Sequence, residues 1–121
     1  MNTLTVRLSS VKDLKARFVA ASNRAMAGEP VKAVPSIEFS TYEVMHRILA
    51  PHRLELVKTL GGQGALSIRE VARRVNRDVQ AVHRDITTLI NAGVIDRGDA
   101  GVEFPYDSIH FEFDVKAVQA A

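Results

Sequence analysis

Residues 67–97, SIREVARRVNRDVQAVHRDITTLINAGVIDR, restrict the possible folds of this chain more than any other stretch. Ser67 and Glu70 have the S-x-x-E spacing of a capping box, in which two orphan helix amides are satisfied reciprocally. Ile68, Val71, Ala72 and Val75 recur at helical spacing and predict a short amphipathic helix. Asn76 reads as a turn residue and Asp78 as the cap of a second helix. Val79, Val82, Ile86, Leu89 and Ile90 form that helix's inner face, and Gly93 ends it. Val94 to Arg97, the loop Gly98-Asp99-Ala100-Gly101, and Val102 to Pro105 predict a β-hairpin. Two short helices across a tight turn, followed by a hairpin, is the layout of a helix-turn-helix with a wing. That scaffold presents its second helix to the major groove of DNA.

The flanking segments add strands and helices. Thr3 to Leu8 alternates, with Leu4, Val6 and Leu8 on one face, and predicts a half-buried strand. Ser9-Ser10 offers an N-cap. Val11, Leu14, Phe18, Ala21 and Ala25 follow at helical spacing as far as Gly28. Glu29 to Ser36, with Pro30 and Pro35, reads as a linker, and Ile37-Glu38-Phe39 as a short strand. Ser40 or Thr41 caps a helix with Val44, Met45, Ile48 and Leu49 as its stripe. Pro51 suits the first position of a further helix carrying Leu54, Leu56, Val57 and Leu60. Ile109, Phe111, Phe113 and Val115 alternate with His110, Glu112 and Asp114 as a last strand. The expected architecture is α+β, mainly α. A winged helix-turn-helix occupies 37–105, after an N-terminal strand-helix extension at 1–36 and before a C-terminal strand and tail at 106–121. The extension is more apolar than a lone winged helix needs, so it reads as a dimerisation surface. Glu112 and Asp114 are placed to face Arg7.

Composition excludes several function classes. The chain has no cysteine, which removes disulfides, thiolate metal sites and cysteine nucleophiles. No apolar run approaches the ~20 residues of a membrane span. The first ten residues lack a signal peptide's basic start and apolar core, so the expected location is the cytoplasm. The Gly-Gly-Gln-Gly run at 61–64 is not followed by the Lys-Ser/Thr of a phosphate loop. His46, His52 and His110 make no i, i+4 pair, so neither a metal nor a cofactor is expected. No segment offers nucleophile, base and oxyanion donors together, so no enzyme is expected either. The net charge of +2 decides nothing, but its distribution does. Residues 52–97 carry eight Lys/Arg against five Asp/Glu, whereas 98–121 carry one against five. The basic excess coincides with the helix pair, and the tail is acidic.

At ~100° per residue, the inner face of the second helix is centred between Val82, Ile86 and Ile90. Opposite lie Arg77, Gln80, Ala81, Arg84 and Thr88, with Thr87 on the flank. Arg bonds guanine O6 and N7 together, and Gln does the same with adenine, so these six are the expected base-reading set. A merely solvated face is the competing reading. Ser67, Arg69, Arg73 and Arg74 on the preceding helix, and Arg97 at the base of the wing, are the expected phosphate contacts. For the arginines of that helix, solubility and a Glu70–Arg74 pair compete. His83 lies beside the apolar stripe and reads as structural.

At these residues the chain resembles prokaryotic winged-helix transcriptional regulators of the MarR/ArsR-like kind. More narrowly, it resembles a small family of DNA-binding proteins with a recurring series of motifs. The family's opening strand is TLTVRL-like. P-x-R-L-E-L, L-S-I-R-E-V-A-R-R, D-V-x-x-V-H-R-D-I, G-V-I and P-Y-D segments follow. Here they stand at Thr3–Leu8, Pro51–Leu56, Leu66–Arg74, Asp78–Ile86, Gly93–Ile95 and Pro105–Asp107. The resemblance implies a sequence-specific regulator of double-stranded DNA that controls its own transcription, with Gln80, Ala81 and Arg84 on the recognition helix. Some members are encoded beside toxin-like proteins. The alternative implied is therefore an antitoxin that neutralises a toxin partner and represses its own operon. ArsR-type metal sensing is not implied, because the cysteines are missing. One recognition helix reads only a few base pairs, so a homodimer on a pseudo-palindrome is expected.

Overall fold

Strand β1 (Thr3–Leu8) is the central strand of a parallel sheet, flanked by β2 (Ser36–Phe39) and by β5 (Ser108–Glu112). The computed structural model describes residues 2–8, 11–28 and 34–118, with backbone alone at 11–14, 16, 17, 24 and 25. The proposed Ser9-Ser10 cap, the first five linker residues and the side chains of Val11, Leu14 and Ala25 lie outside that description. Helix α1 (Val11–Met26) connects β1 to β2. Phe18, expected on its apolar stripe, is 72% exposed.

The sheet unites segments that the sequence places in separate regions. Val6 lies opposite Ile37 on one side and Phe111 on the other. Arg7 lies between Glu38 and Glu112, and its Nε donates to Glu112 Oε2 at 2.8 Å. The expected Arg7–Glu112 contact therefore forms within one chain. Thr3 and Ser108 hydroxyls bond at 2.9 Å on the same face. On the opposite face Leu4, Val6 and Phe39 are buried, and Ile37 and Ile109 pack against them. Both edges of β1 are occupied, so this strand has no free edge to offer a second copy.

Five helices are described. After α1 come α2 (Tyr42–Ile48), α3 (Pro51–Leu60), α4 (Ile68–Val75) and α5 (Val79–Asn91). Leu56, Leu60, Val71, Val82, Ile86 and Leu89 are fully buried in one cluster with Leu4 and Val6. Local chemistry sets the helix ends. Thr41 Oγ1 accepts from Val44 N, Ser67 Oγ from Glu70 N, and Asp78 Oδ2 from Ala81 N, each at 3.1 Å. Pro51 opens α3. Asn76 closes α4 in the left-handed region at φ 54, with Arg77 N donating to Ala72 O at 3.1 Å. Gly93 does the same for α5 at φ 82, with Val94 N donating to Leu89 O at 3.0 Å. The capping box is realised in one direction only, because the Glu70 carboxylate turns to Arg73 and Arg74 instead.

Strands β3 (Asp96–Gly98) and β4 (Gly101–Glu103) pair antiparallel across a two-residue turn. Leu66 joins β4 from the other side through a reciprocal pair of hydrogen bonds with Val102, 2.9 and 2.8 Å. At Gly101 (φ 134) a Cβ would stand 2.3 Å from Leu66 O, so only glycine fits. Among the described residues no helix is long and apolar enough to cross a membrane.

Candidate nucleic-acid interface

The buried face of α5 consists of Val82, Asp85, Ile86 and Leu89. An aspartate on that face is the feature the sequence reading missed. Asp85 is 7% exposed. Its Oδ2 accepts from Arg77 Nη2 at 2.7 Å, its Oδ1 from Arg53 Nε at 3.1 Å, and His52 Nε2 lies 3.6 Å from Oδ1. Burial pushes the Asp85 carboxyl up, but the hydrogen bonds from Arg77 and Arg53 outweigh it and hold the group below its ordinary value. Arg53 Nη1 also donates to the carbonyls of Arg47 (2.7 Å) and Ile48 (3.4 Å), at the carbonyl end of α2. Through these contacts Asp85 connects α5 to the residue before its cap, to α3 and, by way of Arg53, to α2. Arg77 Nη1 is buried without a hydrogen-bond partner among the described residues.

The buried face of α5 is centred about 50° from the Val82–Ile86–Ile90 direction expected from the sequence, because Leu89 and Asp85 are buried where Ile90 is only half-buried. Gln80, Arg84, Thr87 and Asn91 then point outward and are exposed, while Ala81 and Thr88 are half-buried flank residues. The Thr87 and Thr88 hydroxyls donate to the carbonyls of His83 (2.9 Å) and Arg84 (3.2 Å). Arg77 is turned inward to Asp85 rather than outward with Gln80 and Arg84. His83, expected at the core edge, is instead exposed. With Val79, Gln80 and Arg84 it lines a shallow recess of about 290 Å³ along the first half of α5.

The arginines of the preceding helix divide into two kinds. Arg73 and Arg74 both bond Glu70, with Arg73 Nε at 2.9 Å and Arg74 Nε at 3.0 Å, and Arg74 also donates to Gln63 Oε1 at 3.1 Å. Hydrogen bonds from Arg73 and then Arg74 hold the Glu70 carboxyl down to about 2. Arg69 on α4, Arg84 on α5 and Arg97 on β3 are exposed and make no ion pair among the described residues. The Ser67 hydroxyl is engaged as the α4 cap.

The missed cluster has a faint signal in the sequence. Asp85 stands three residues after Val82 and directly before Ile86, so it shares the apolar stripe. A carboxylate there needs cationic partners, and the P-x-R and N-R-D segments supply them.

Comparison with known proteins matches the part of the chain that carries this geometry. A protein of Methanocaldococcus jannaschii, named "Uncharacterized protein MJ1503", is 34% identical over 61 residues, covering 46% of each chain. The present chain thus spans about half the length of that curated relative. No solved structure matches. The HVO_A0114 family model matches residues 48–111, from the end of α2 into β5, with Arg53, Arg77, Asp85 and the exposed face of α5 inside the match. Since this match covers more than half of the 121 residues, the chain belongs to the HVO_A0114 family.

Proposed function

We propose that α4, α5 and the β3–β4 hairpin form a winged helix-turn-helix, and that the protein is a cytoplasmic, sequence-specific regulator of double-stranded DNA acting on its own promoter as a homodimer. α5 is the recognition helix, α4 crosses the phosphate backbone and the hairpin is the wing. The observation that carries this reading is the exposed face of α5. There Gln80 and Arg84, which makes no ion pair among the described residues, stand side by side, on a helix whose rotation is fixed from behind by Asp85. Arg69 and Arg97, also without acidic partners among the described residues, supply phosphate contacts from the neighbouring elements. Arg77 acts in this scheme as a positioning residue for α5. The test is a gel-shift series with fragments of the upstream DNA of the protein's own gene. One fragment is expected to bind far more tightly than the others. No shift of any fragment at low salt would refute the proposal.

A second reading is an antitoxin that grips a basic toxin with its acidic C-terminal segment. Val115 and Val118 are exposed there beside Asp114. Co-expression with the neighbouring gene product decides it: a stable complex supports this reading, and separate elution excludes it.

A further inference from the structure

We propose that β5 is the seam between two copies of this chain, paired antiparallel about a two-fold axis at Phe111. Three observations point to it. First, the sheet order β2-β1-β5 leaves β5 as an edge, with no strand beside it among the described residues. From Ser108 to Val115 the segment SIHFEFDV contains neither proline nor lysine, the residues that commonly blunt an exposed edge. The other edge, β2, is shorter and follows Pro35.

Second, the segment is complementary to itself. With two copies centred on Phe111 and the strand continued past Glu112 as far as Asp114, the two Phe111 rings meet, Ile109 faces the second copy's Phe113, and His110 faces its Glu112. Ser108 faces its Asp114. Each contact then occurs twice, as a two-fold interface requires. Apolar residues meet on one face, and on the other an imidazole and a hydroxyl meet the two carboxylates.

Third, an apolar groove of about 260 Å³ runs beside this edge, lined by Leu54, Val57, Phe104, Ile109 and Phe111. It opens on the face that carries Ile109 and Phe111, where Phe111 remains 37% exposed. A second β5 in this register brings its own Phe111 and Phe113 to that groove. The product is a continuous six-stranded sheet in the order β2-β1-β5-β5-β1-β2.

This inference deepens the homodimer of the proposed function, yet its test needs no DNA, so failure of either is read separately. Because the chain has no cysteine, Phe111→Cys introduces a single thiol at the axis. Directly opposed residues of antiparallel strands lie ~4.5–5.5 Å apart, within disulfide reach. The expected result is a wild-type dimer by light scattering and a covalent dimer of Phe111→Cys on a non-reducing gel. Phe18→Cys, on the exposed side of α1, should stay uncrosslinked. His110→Glu, at an exposed position, sets carboxylate against carboxylate twice and should weaken the dimer at least tenfold while retaining the wild-type circular dichroism spectrum. A monomeric wild type, or a dimer that crosslinks through Phe18→Cys and not Phe111→Cys, would overturn the proposal.

Discussion

Replacing Asp85 with asparagine keeps its shape and removes the charge that two guanidiniums share. Asp85 accepts hydrogen bonds of 2.7 Å from Arg77 and 3.1 Å from Arg53. Bonds to charged groups contribute ~1.5–3 kcal/mol each, so losing both at full strength would cost ~3–6 kcal/mol. The Arg53 and Arg77 side chains are 20% and 31% exposed, so water recovers part of that. The asparagine oxygen also still accepts one bond. About 2–3 kcal/mol is therefore expected, a fall in Tm of roughly 8–15 °C for a chain of this size. The pH dependence separates charge from packing. The folded carboxyl titrates below its ordinary value, so its contribution is complete above the unfolded pKa of ~4 and is lost as pH falls through the folded value. Thermal melts followed by circular dichroism should therefore show a wide gap between wild type and Asp85→Asn at neutral pH, narrowing from ~pH 4 downward. A gap under ~2 °C at neutral pH, or one unchanged down to ~pH 2.5, would refute the electrostatic account.

Four further outcomes are expected. Arg77→Ala should lower stability by ~1–2 kcal/mol in urea unfolding. Arg84→Ala should leave it within ~0.5 kcal/mol and instead relax base preference by ~1–3 kcal/mol in competition binding. Gly101→Ala combines a backbone at φ 134 with a Cβ 2.3 Å from Leu66 O, and should cost at least ~2 kcal/mol and disrupt the hairpin, measured by urea unfolding and by amide shifts at Leu66 and Val102. With Arg69 and Arg97 available for phosphates, the slope of log affinity against log salt should be about −2 per protomer; Glu70→Gln, by releasing Arg73 and Arg74, should steepen it toward about −4.

What the sequence made legible is what short-range chemistry decides. The caps at Thr41, Ser67 and Asp78, the left-handed Asn76 and Gly93, and the stripes of α3, α4 and α5 all depend on residues within one or two turns. Strand partners were less visible. Alternation marks two strands, at Thr3–Leu8 and from Ile109 on, although the second ends at Glu112 and does not run on to Val115; their pairing in parallel with each other depends on the whole chain between them. Asp85 was missed because a helical wheel centred on apolar residues assigns any carboxylate to the outside. Its burial is stabilised by Arg53, 32 residues away, and by Arg77, eight away across a turn. Glu70 shows a different limit. Its spacing fits both a cap and two ion pairs, and the two guanidiniums outcompete the Ser67 amide.

The β1–β5 pairing also implies an order of assembly. The Thr3–Ser108 and Arg7–Glu112 bonds each join residues 105 apart. At ~0.6 kcal/mol per doubling of loop length, closing that span costs roughly 3 kcal/mol more than closing a three-residue cap. The helices between therefore gain by forming first, because they shorten the flexible chain that must close. The sheet is then the last part to join and the first to open, with α3–α5 intact while β5 is released. If β5 is also the seam between copies, subunit exchange proceeds by that partial opening and leaves the α5 face formed throughout.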